Sequence, residues 1–490
     1  MLPEIKGQSW SGFGTPTGYS HTYLLGSGDT INYSQTYFED FNGDGMVDFL
    51  LDGGIYGQSQ TGEYLPNFSI YTNLGNGQFS AENVFPSGST HRVVTDAADF
   101  NNDGFPDLLV ADFWGNGFWL RPGQAGLKFG AGTFYPTSTH GGMSGFCDLD
   151  QDGDLDVVSV AAGSGSPVKV FVYTNVNGVL SAPDIYPYTL QQGTFYYDLR
   201  FEDFNIDGNT DIYVLARNGY TLEPLILLQQ STMVFNATHQ MLLGASISHE
   251  FVNVQDLNAD GFPDMVYVDH MYLSAANPNP MGNLHIWNGN ATATYTGTPT
   301  TGDSVLKPYS ELFFTDVNND GLEDMIYYSM YYLIPPNWHV GIPNEIQIYL
   351  QNTQGQFTHH TSIPMTMGTL TSYGGVGGIA LEDVNADGFD DLLAITEKDV
   401  QIFLNLGNQV SVEESAKANW NFYPNPASET VRIITEEPIE NIRLLNSKGQ
   451  ELEVKFQSNT LNIQGLPPGV YWVGALNTHG AISWRKLIVE

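Results

Sequence analysis

Residues 40–52 read DFNGDGMVDFLLD, an acidic turn with a central glycine that leads directly into a short apolar segment. The first nine of these residues follow the pattern Asp-x-Asn/Asp-x-Asp-Gly-x-x-Asp, which occurs seven times in the chain. We number the copies loop 1 to loop 7 and their residues position 1 to position 9; they span residues 40–48, 99–107, 148–156, 203–211, 256–264, 316–324 and 383–391. Successive copies begin 49 to 67 residues apart, which indicates seven repeats of one structural unit.

The spacing of oxygen-bearing side chains within each loop predicts a calcium site. Ca²⁺ prefers six to eight oxygen ligands, and alternate residues of a tightly curled loop can direct carboxylates at one centre. Positions 1, 3, 5 and 9 would supply side-chain oxygens and position 7 a backbone carbonyl, while glycine at position 6 permits the sharp turn. The sequence therefore predicts up to seven Ca²⁺ ions, held by Asp40, Asn42, Asp44, Met46, Asp48; Asp99, Asn101, Asp103, Phe105, Asp107; Asp148, Asp150, Asp152, Asp154, Asp156; Asp203, Asn205, Asp207, Asn209, Asp211; Asp256, Asn258, Asp260, Phe262, Asp264; Asp316, Asn318, Asp320, Leu322, Asp324; and Asp383, Asn385, Asp387, Phe389, Asp391.

Acidic turns of this composition also occur without a metal, as Asx turns that are satisfied by their own backbone. Seven complete copies favour the metal interpretation over that alternative. Loop 3 is the most acidic, because Asp148, Asp150, Asp152 and Asp156 give it four carboxylates where each other loop has three and an asparagine.

The segments that flank the loops predict β-strands. Each loop is followed by a short apolar run such as FLLD at 49–52 or VVSVA at 157–161, without the i, i+3, i+4 spacing of an amphipathic helix. Several repeats continue into a strand and an Asn-Gly turn, as in IYTNLGNGQFS at 70–80. Each repeat therefore reads as four strands with the acidic loop between the first and second.

Counting strands predicts how the repeats close. Only two strands follow loop 7 before the repeat pattern ends, so the last repeat lacks its outer strand. The segment Trp10–Leu25 precedes the first strand of repeat 1, predicted at Ile31–Phe38, and can supply the missing one. The predicted fold is all-β: a seven-bladed β-propeller over residues 1–408, followed by a small Ig-like β-sandwich.

The loop pattern and the Asn-x-Gly-x-Gly-x-Phe turn resemble the FG-GAP/VCBS repeats of integrin α-subunit-like propellers over roughly residues 20–410. The resemblance implies a propeller with calcium loops near the blade rims on one face. It also implies binding or scaffolding more often than catalysis. Most loops lack the Phe-Gly…Gly-Ala-Pro motif, so the VCBS type is the closer relative.

The C-terminal region has a different character. Residues 409–418 are polar and predict a linker, and residues 419–490 alternate like the strands of a small sandwich. Three motifs resemble the type A sorting domain of the Bacteroidetes type IX secretion system: YPNP at 423–426, GLPPGVY at 465–471 and KLIV at 486–489. The resemblance implies partners in the type IX translocon and its outer-membrane shuttle, and export to the medium or cell surface of a Gram-negative bacterium. Residues 1–14 contain no apolar stretch typical of a signal peptide.

Charge and hydropathy exclude two classes of function. The net charge is −38, and residues 1–410 hold nine Lys and Arg against 45 acidic residues. Such a chain should repel nucleic acid, whose binding depends on basic residues that neutralise phosphate. No apolar run approaches the roughly 20 residues of a membrane helix, so membrane insertion is not expected.

The sequence favours binding or adhesion over catalysis. Histidines are scattered, basic residues are isolated, and no nucleophile or metal-protease motif is present, so no catalytic residue is assigned. The alternatives are a secreted polysaccharide lyase, which needs a base and a cation for the sugar carboxylate, and a purely structural surface component. The expected partner is a glycan or a surface protein. Aromatic residues that could stack on neutral sugars are densest at Trp114, Phe118 and Trp119, and at Tyr327, Tyr328, Tyr331 and Tyr332.

Overall fold

The chain divides into two compact units, Trp10–Gly407 and a second unit that contains Asn408–Glu490. The computed structural model describes residues 9–20, 36–52, 67–81, 83–86, 92–112, 116–137, 141–161, 168–188, 195–218, 221–240, 253–268, 284–295, 300–301, 310–329, 345–353, 355–365, 378–395, 399–409, 420–435, 439–446, 451–452, 454–457, 459–477 and 482–489. Most of the predicted linker, residues 410–418, lies outside these ranges.

The first unit is built from four-stranded antiparallel sheets, of which the described residues form seven. We number them sheet 1 to sheet 7, each with the loop of the same number. Their strands, from first to fourth, are Thr36–Glu39, Asp48–Asp52, Asn67–Tyr71, Asn83–Pro86; Arg92–Ala98, Asp107–Asp112, Gly117–Arg121, Thr133–Pro136; Gly141–Cys147, Asp156–Ala161, Val168–Tyr173, Asp184–Tyr188; Phe195–Glu202, Asp211–Asn218, Thr221–Ser231, Val234–Gln240; Asn253–Gln255, Asp264–Val268, Leu284–Trp287, Thr300–Thr301; Ser310–Thr315, Asp324–Ser329, Glu345–Gln351, Phe357–Pro364; and Gly378–Glu382, Asp391–Ile395, Asp399–Phe403, Thr17–Ser20. Short pairs join Asn73–Gly75 to Gln78–Phe79 and Gly123–Gln124 to Lys128–Phe129. Two further short strands are Ser9–Trp10 and Asn408–Gln409.

Neighbouring sheets are held together by hydrophobic clusters. The second strand of a sheet is buried on both faces, as in Asp48–Asp52 and Asp391–Ile395, which explains its continuous apolar sequence. Each cluster combines residues of two consecutive sheets, and one joins Phe49 and Tyr71 of sheet 1 to Leu393 and Ile402 of sheet 7. The sheets therefore follow one another in a closed ring. The predicted all-β, propeller-type fold is confirmed.

The ring closes through the N-terminal segment. Thr17–Ser20 pairs antiparallel with Asp399–Phe403 and forms the outer strand of sheet 7, as predicted. Pairing of this kind covers an edge that would otherwise be open. In the described residues, the first strand of sheet 1 begins at Thr36. The predicted segments Trp10–Leu25 and Ile31–Phe38 also include residues 21–25 and 31–35, which lie outside the described residues.

The described residues of the second unit form two four-stranded sheets with their own core. One sheet contains Trp420–Tyr423, Thr430–Thr435, Thr460–Asn462 and Lys455–Gln457; the other contains Glu451–Leu452, Ile439–Leu445, Gly469–Asn477 and Ile482–Val489. Every buried residue of its hydrophobic cluster lies between Trp420 and Val489.

Two motifs of the second unit meet in space. The Asn425 side chain donates from Nδ2 to the carbonyl of Lys486 at 2.9 Å and accepts from the Ile488 N–H at 2.8 Å. The Ala427 N–H continues this pairing by donating to the Ile488 carbonyl at 2.9 Å. The YPNP turn therefore pairs with the edge of the final strand, which explains physically why the two motifs occur together.

The described residues contain no α-helix. Accordingly, no helix among them has the length and apolar character that crossing a membrane requires.

Candidate metal centres

The acidic loops are the turns between the first and second strands of the sheets, as their sequence position predicts. All seven share one backbone conformation, with positive φ at both position 4 and position 6. Position 6 is glycine throughout, with φ between 85° and 92°. Position 4 adopts φ values from 53° to 59° even where it carries a side chain, as at Gln151 and Ile206. This left-handed conformation is costly for a β-branched residue, so the loop geometry outweighs local preference.

The first carboxylate organises each loop by accepting backbone hydrogen bonds. At position 1, Oδ1 accepts the N–H of position 5 at 2.9–3.2 Å, and Oδ2 accepts the N–H of position 6 at 2.6–3.1 Å. At position 5, Oδ1 accepts the N–H of position 7 at 2.9–3.0 Å. These bonds form an Asx-type turn and leave further lone pairs on both carboxylates.

Four of the five predicted ligand positions have the same class of exposure in every loop. The position-5 aspartates are exposed, the position-1 aspartates and position-7 residues are half-buried, and the position-9 aspartates are at most 1% exposed. Position 3 ranges from buried Asn318 to exposed Asn258. In loop 3, one carboxylate oxygen from each of Asp148, Asp150 and Asp156 lies within 4.8 Å of the others. The structure thus brings positions 1, 3 and 9 of that loop together; the role of the position-7 carbonyl stays a prediction.

Several buried oxygens at ligand positions lack a hydrogen-bond donor. They are Oδ2 of the position-9 residues Asp48, Asp324 and Asp391, and Oδ1 of the position-3 residues Asn101 and Asn385. A buried acceptor without a donor costs about 1–3 kcal/mol, and a charged one more. A divalent cation would satisfy all of these oxygens, and carboxylate and amide oxygens are the ligands that Ca²⁺ prefers. The residues present therefore fit a bound calcium ion.

Burial raises the pKa of every position-9 carboxyl above its ordinary value near 3.8. The pKa rises to about 6 for Asp48, Asp107, Asp156 and Asp264, and to about 7 for Asp211, Asp324 and Asp391. Desolvation is the main cause; backbone hydrogen bonds oppose it, and carboxylates of the same loop add to it. These groups thus hold a proton to a higher pH than an exposed aspartate does, and a cation bound in the loop would displace it.

The raised pKa values predict opposite pH trends with and without calcium. Between about pH 4 and the folded pKa values of about 6 to 7, the folded ion-free loops hold protons that the unfolded chain has released. Stability without calcium should therefore fall as the pH rises through this window. Bound calcium displaces the protons, so stability with calcium should fall as the pH is lowered. Melting curves at about pH 5 and about pH 7.5 in EDTA and in calcium test this; parallel trends would contradict it.

One set of residues beside the loops was not predicted from the sequence. The position-9 Oδ1 accepts a backbone N–H from a residue within two positions of the end of the third strand, at 2.6–2.8 Å in all seven sheets. The donor is an Asn or a Gln in five sheets and a glycine in two. The sequence does repeat an Asn or Gln at this point, as in Asn73 and Asn175, and that repetition could have indicated a shared role. Asn is also common in turns, so the local sequence predicts only a turn residue.

The aromatic groups singled out in the sequence are largely packing residues where they are described. Phe118 and Tyr327 are fully buried, and the Phe118 ring stacks on Tyr135 with centroids 5.3 Å apart. Trp119 is half-buried against Phe134, whose side chain is 40% exposed, with centroids 5.1 Å apart. Trp114, Tyr331, Tyr332 and the side chain of Tyr328 lie outside the described residues.

Comparison with known families supports both resemblances. The family model for the FG-GAP-like repeat matches residues 40–110 and 148–214, and that for the secretion system C-terminal sorting domain matches residues 421–490. The chain thus contains FG-GAP-like repeats and a C-terminal sorting domain of the type IX system. No curated protein matches it.

Solved structures with similar folds include proteins of several functions. A polysaccharide lyase of family PL25, an ulvan lyase, is 9% identical, with 82% of this chain and 97% of that one covered and a TM-score of 0.46. An Agrocybe aegerita lectin described as recognising non-reducing terminal N-acetylglucosamine is 13% identical, with coverage of 73% and 91% and a TM-score of 0.42. The extracellular domain of a putative one-component system from B. thetaiotaomicron is 10% identical, with coverage of 98% and 58% and a TM-score of 0.40.

Proposed function

We propose that this protein is an exported binding or adhesion propeller that calcium stabilises and that recognises carbohydrate. The observation that carries the calcium part is the set of buried, donor-less oxygens at ligand positions, of which Asp48 Oδ2 and Asn101 Oδ1 are examples. The ions would lie at positions 1, 3, 5 and 9 of the loops and supply positive charge to otherwise repelling carboxylates. The sorting domain gives the export route, to the medium or the cell surface.

An exposed aromatic surface supports the carbohydrate part of the proposal. Phe134 lies on the fourth strand of sheet 2 and is 40% exposed, and its cross-strand neighbour is Trp119 of the third strand. Sugar rings present C–H faces that can pack on such rings, and a large amphipathic surface contributes binding energy at low entropic cost. Fourth strands of neighbouring sheets expose aliphatic residues instead, such as Ile185 at 49%.

A glycan array probed with the residue 1–408 propeller tests the proposal. We expect binding to a restricted set of glycans, loss of that binding in EDTA, and recovery on adding calcium. Phe134→Ala should weaken binding about tenfold, the loss of one stacked aromatic contact of about 1.4 kcal/mol. Ile185→Ala, an exposed aliphatic position on the next sheet, should leave binding unchanged. Equal loss in both variants, or no glycan bound in calcium, would contradict the carbohydrate assignment.

The catalytic alternative is decided by a separate assay. Incubation with uronate-containing polysaccharides would release unsaturated sugars, detected by ultraviolet absorbance, if the protein were a lyase. A lyase needs a cation free to meet the sugar carboxylate. Two arginines of the propeller are otherwise engaged: Arg200 pairs with Asp198 at 2.6 Å, and Arg121 lies 6.0 Å from the Phe129 ring centroid. These are two of the nine basic residues within residues 1–410, and no catalytic base is assigned from the sequence. Because binding is the proposed role, we expect no product.

A further inference from the structure

In five of the seven sheets, one buried Asn or Gln side chain bonds to the acidic loop of the preceding sheet. We call them the latch residues: Asn73, Asn175, Gln229, Gln351 and Asn405. The terminal amide of each donates to the carbonyl of loop position 2 in the preceding sheet, at 2.7–3.1 Å. Asn73 of sheet 1 reaches Val384 in loop 7, so the ring closure carries a latch as well.

Each latch residue is also tied to the loop of its own sheet. Its backbone N–H donates to Oδ1 of the position-9 aspartate, at 2.6–2.8 Å. The path from loop 1 to loop 7 therefore runs from Asp48 through Asn73 to the Val384 carbonyl. Val384 lies between the predicted ligands Asp383 and Asn385, so the latch holds the peptide that orients both of them.

Two of the seven interfaces lack a latch. Sheets 2 and 5 have Gly123 and Gly289 at the latch position, so no side-chain amide at that position can donate to loops 1 and 4. A Cβ on these glycines would lie 2.3 Å from the Pro106 carbonyl oxygen and 2.4 Å from that of Pro263. A side chain at either glycine would therefore require the backbone at loop position 8 to shift.

Side-chain hydrogen bonds from position 4 to the next loop cross three of the five latched interfaces. Three position-4 side chains hydrogen-bond to the next loop: Asn102 to Asp154 at 2.8 Å, Gln151 to the Gly208 carbonyl at 2.6 Å, and Asn319 to the Gly388 carbonyl at 2.7 Å. All three cross interfaces that also carry a latch. At the two interfaces without a latch, position 4 of the earlier loop is Gly43 or Ile206, and at the remaining two latched interfaces it is Ala259 or Ala386. These four residues have no polar side chain, so the latch is the contact that distinguishes the two kinds of interface.

We infer that the seven loops form two coupled groups, loops 2, 3 and 4 and loops 5, 6, 7 and 1. An ion in one loop fixes its position-9 aspartate and hence the latch residue, which fixes the position-2 peptide of the preceding loop. Binding at either loop of a latched pair then favours binding at the other, because such coupling is reciprocal. Across the interfaces of sheets 1 and 2 and of sheets 4 and 5, binding is independent. This inference rests on the proposed calcium binding.

Loop 1 offers an internal comparison, because it has a latched neighbour, loop 7, and an unlatched one, loop 2. Hydrogen–deuterium exchange of the full chain across a calcium titration gives a midpoint of protection for each loop peptide. Asp44→Ala should raise the midpoint of residues 383–391 by roughly fivefold, a typical coupling, and leave that of residues 99–107 unchanged. In an Asn73→Ala background, which keeps the backbone N–H bond to Asp48, Asp44→Ala should no longer shift loop 7.

The interface of sheets 4 and 5, which also lacks a latch residue, allows the same experiment if a variant in sheet 1 fails to fold. Asp207→Ala in loop 4 should shift the midpoint of loop 3, linked through Gln229 to the Leu149 carbonyl, and not that of loop 5. Equal shifts in both neighbours, or none in either while calcium still protects every other loop, would overturn the coupling alone. Absence of calcium-dependent protection in the unmodified protein would instead overturn the proposed calcium binding.

Discussion

Removing calcium with EDTA is expected to lower the melting temperature of the propeller by more than ten degrees. Each loop gathers at least three carboxylates, and a ligand that binds only the folded state stabilises it by RT ln(1 + [L]/Kd). At tenfold excess of calcium over Kd this is about 1.4 kcal/mol per site, or about 10 kcal/mol for seven sites. That is comparable to the whole net stability of a typical domain.

The size of the temperature shift follows from the entropy of unfolding. At roughly 2.1 cal/mol/K per residue, a propeller of this length has an unfolding entropy near 0.8 kcal/mol/K, so about 10 kcal/mol corresponds to about 12 °C. At thousandfold excess the same arithmetic gives about 35 °C. Scanning calorimetry in EDTA, and again after adding back millimolar Ca²⁺, measures it. Added Mg²⁺ serves as the control for ionic strength, because it demands octahedral geometry and is reluctant to lose its waters.

An unchanged melting curve after verified removal of metal would mean that the loops fold as ordinary Asx turns. The position-1 hydrogen bonds would permit that outcome, since Asp40 satisfies the backbone N–H groups of Asp44 and Gly45 with or without an ion. What they leave unsatisfied is the buried Oδ2 of Asp48, Asp324 and Asp391. In loops 3, 4 and 5 the same oxygen accepts the N–H of position 2 at 3.0–3.1 Å. The calorimetric shift therefore reports on the unsatisfied oxygens.

The local features of the propeller were predictable because each is decided by residues close together in sequence. Glycine at position 6, as at Gly153, marks a positive φ that few other residues tolerate. The run VVSVA after loop 3 has the length and branching of a buried strand, and it forms most of Asp156–Ala161. Closure by the N-terminal segment followed from counting strands. Sheet 7 lacked an outer strand, and the N-terminal segment was available to pair with its open edge.

The contacts between sheets could not be predicted in the same way. Asn73 and Val384 are 311 residues apart, and nothing in either local sequence specifies the other. The glycine at the latch position of sheets 2 and 5 depends on the neighbouring Pro106 and Pro263 backbone, which is visible only in three dimensions. Burial of Phe118 and Tyr327 likewise reflects packing between sheets, where the sequence allowed a surface role as well.

Deleting residues 419–490 is expected to leave a folded propeller that is no longer exported. The buried cluster of the second unit draws only on residues from Trp420 to Val489, and the seven clusters of the propeller draw on none of them. Each unit therefore has its own core, which is the condition for folding alone. The truncated protein should keep its calcium-dependent melting transition, measured on purified material.

The site of accumulation tests the sorting assignment. Expressed with a Sec leader in a Bacteroidetes host, the truncated protein should collect in the periplasm, while the full chain reaches the medium or cell surface. A reporter fused to residues 409–490 should be exported; the matched control is the same fusion with Asn425→Ala, which removes the side chain that pairs with the final strand at Lys486 and Ile488. Because two hydrogen bonds at the edge of that strand are lost, we expect export of the control to fall. Secretion of the truncated protein would contradict the assignment, and export would then depend on the propeller itself.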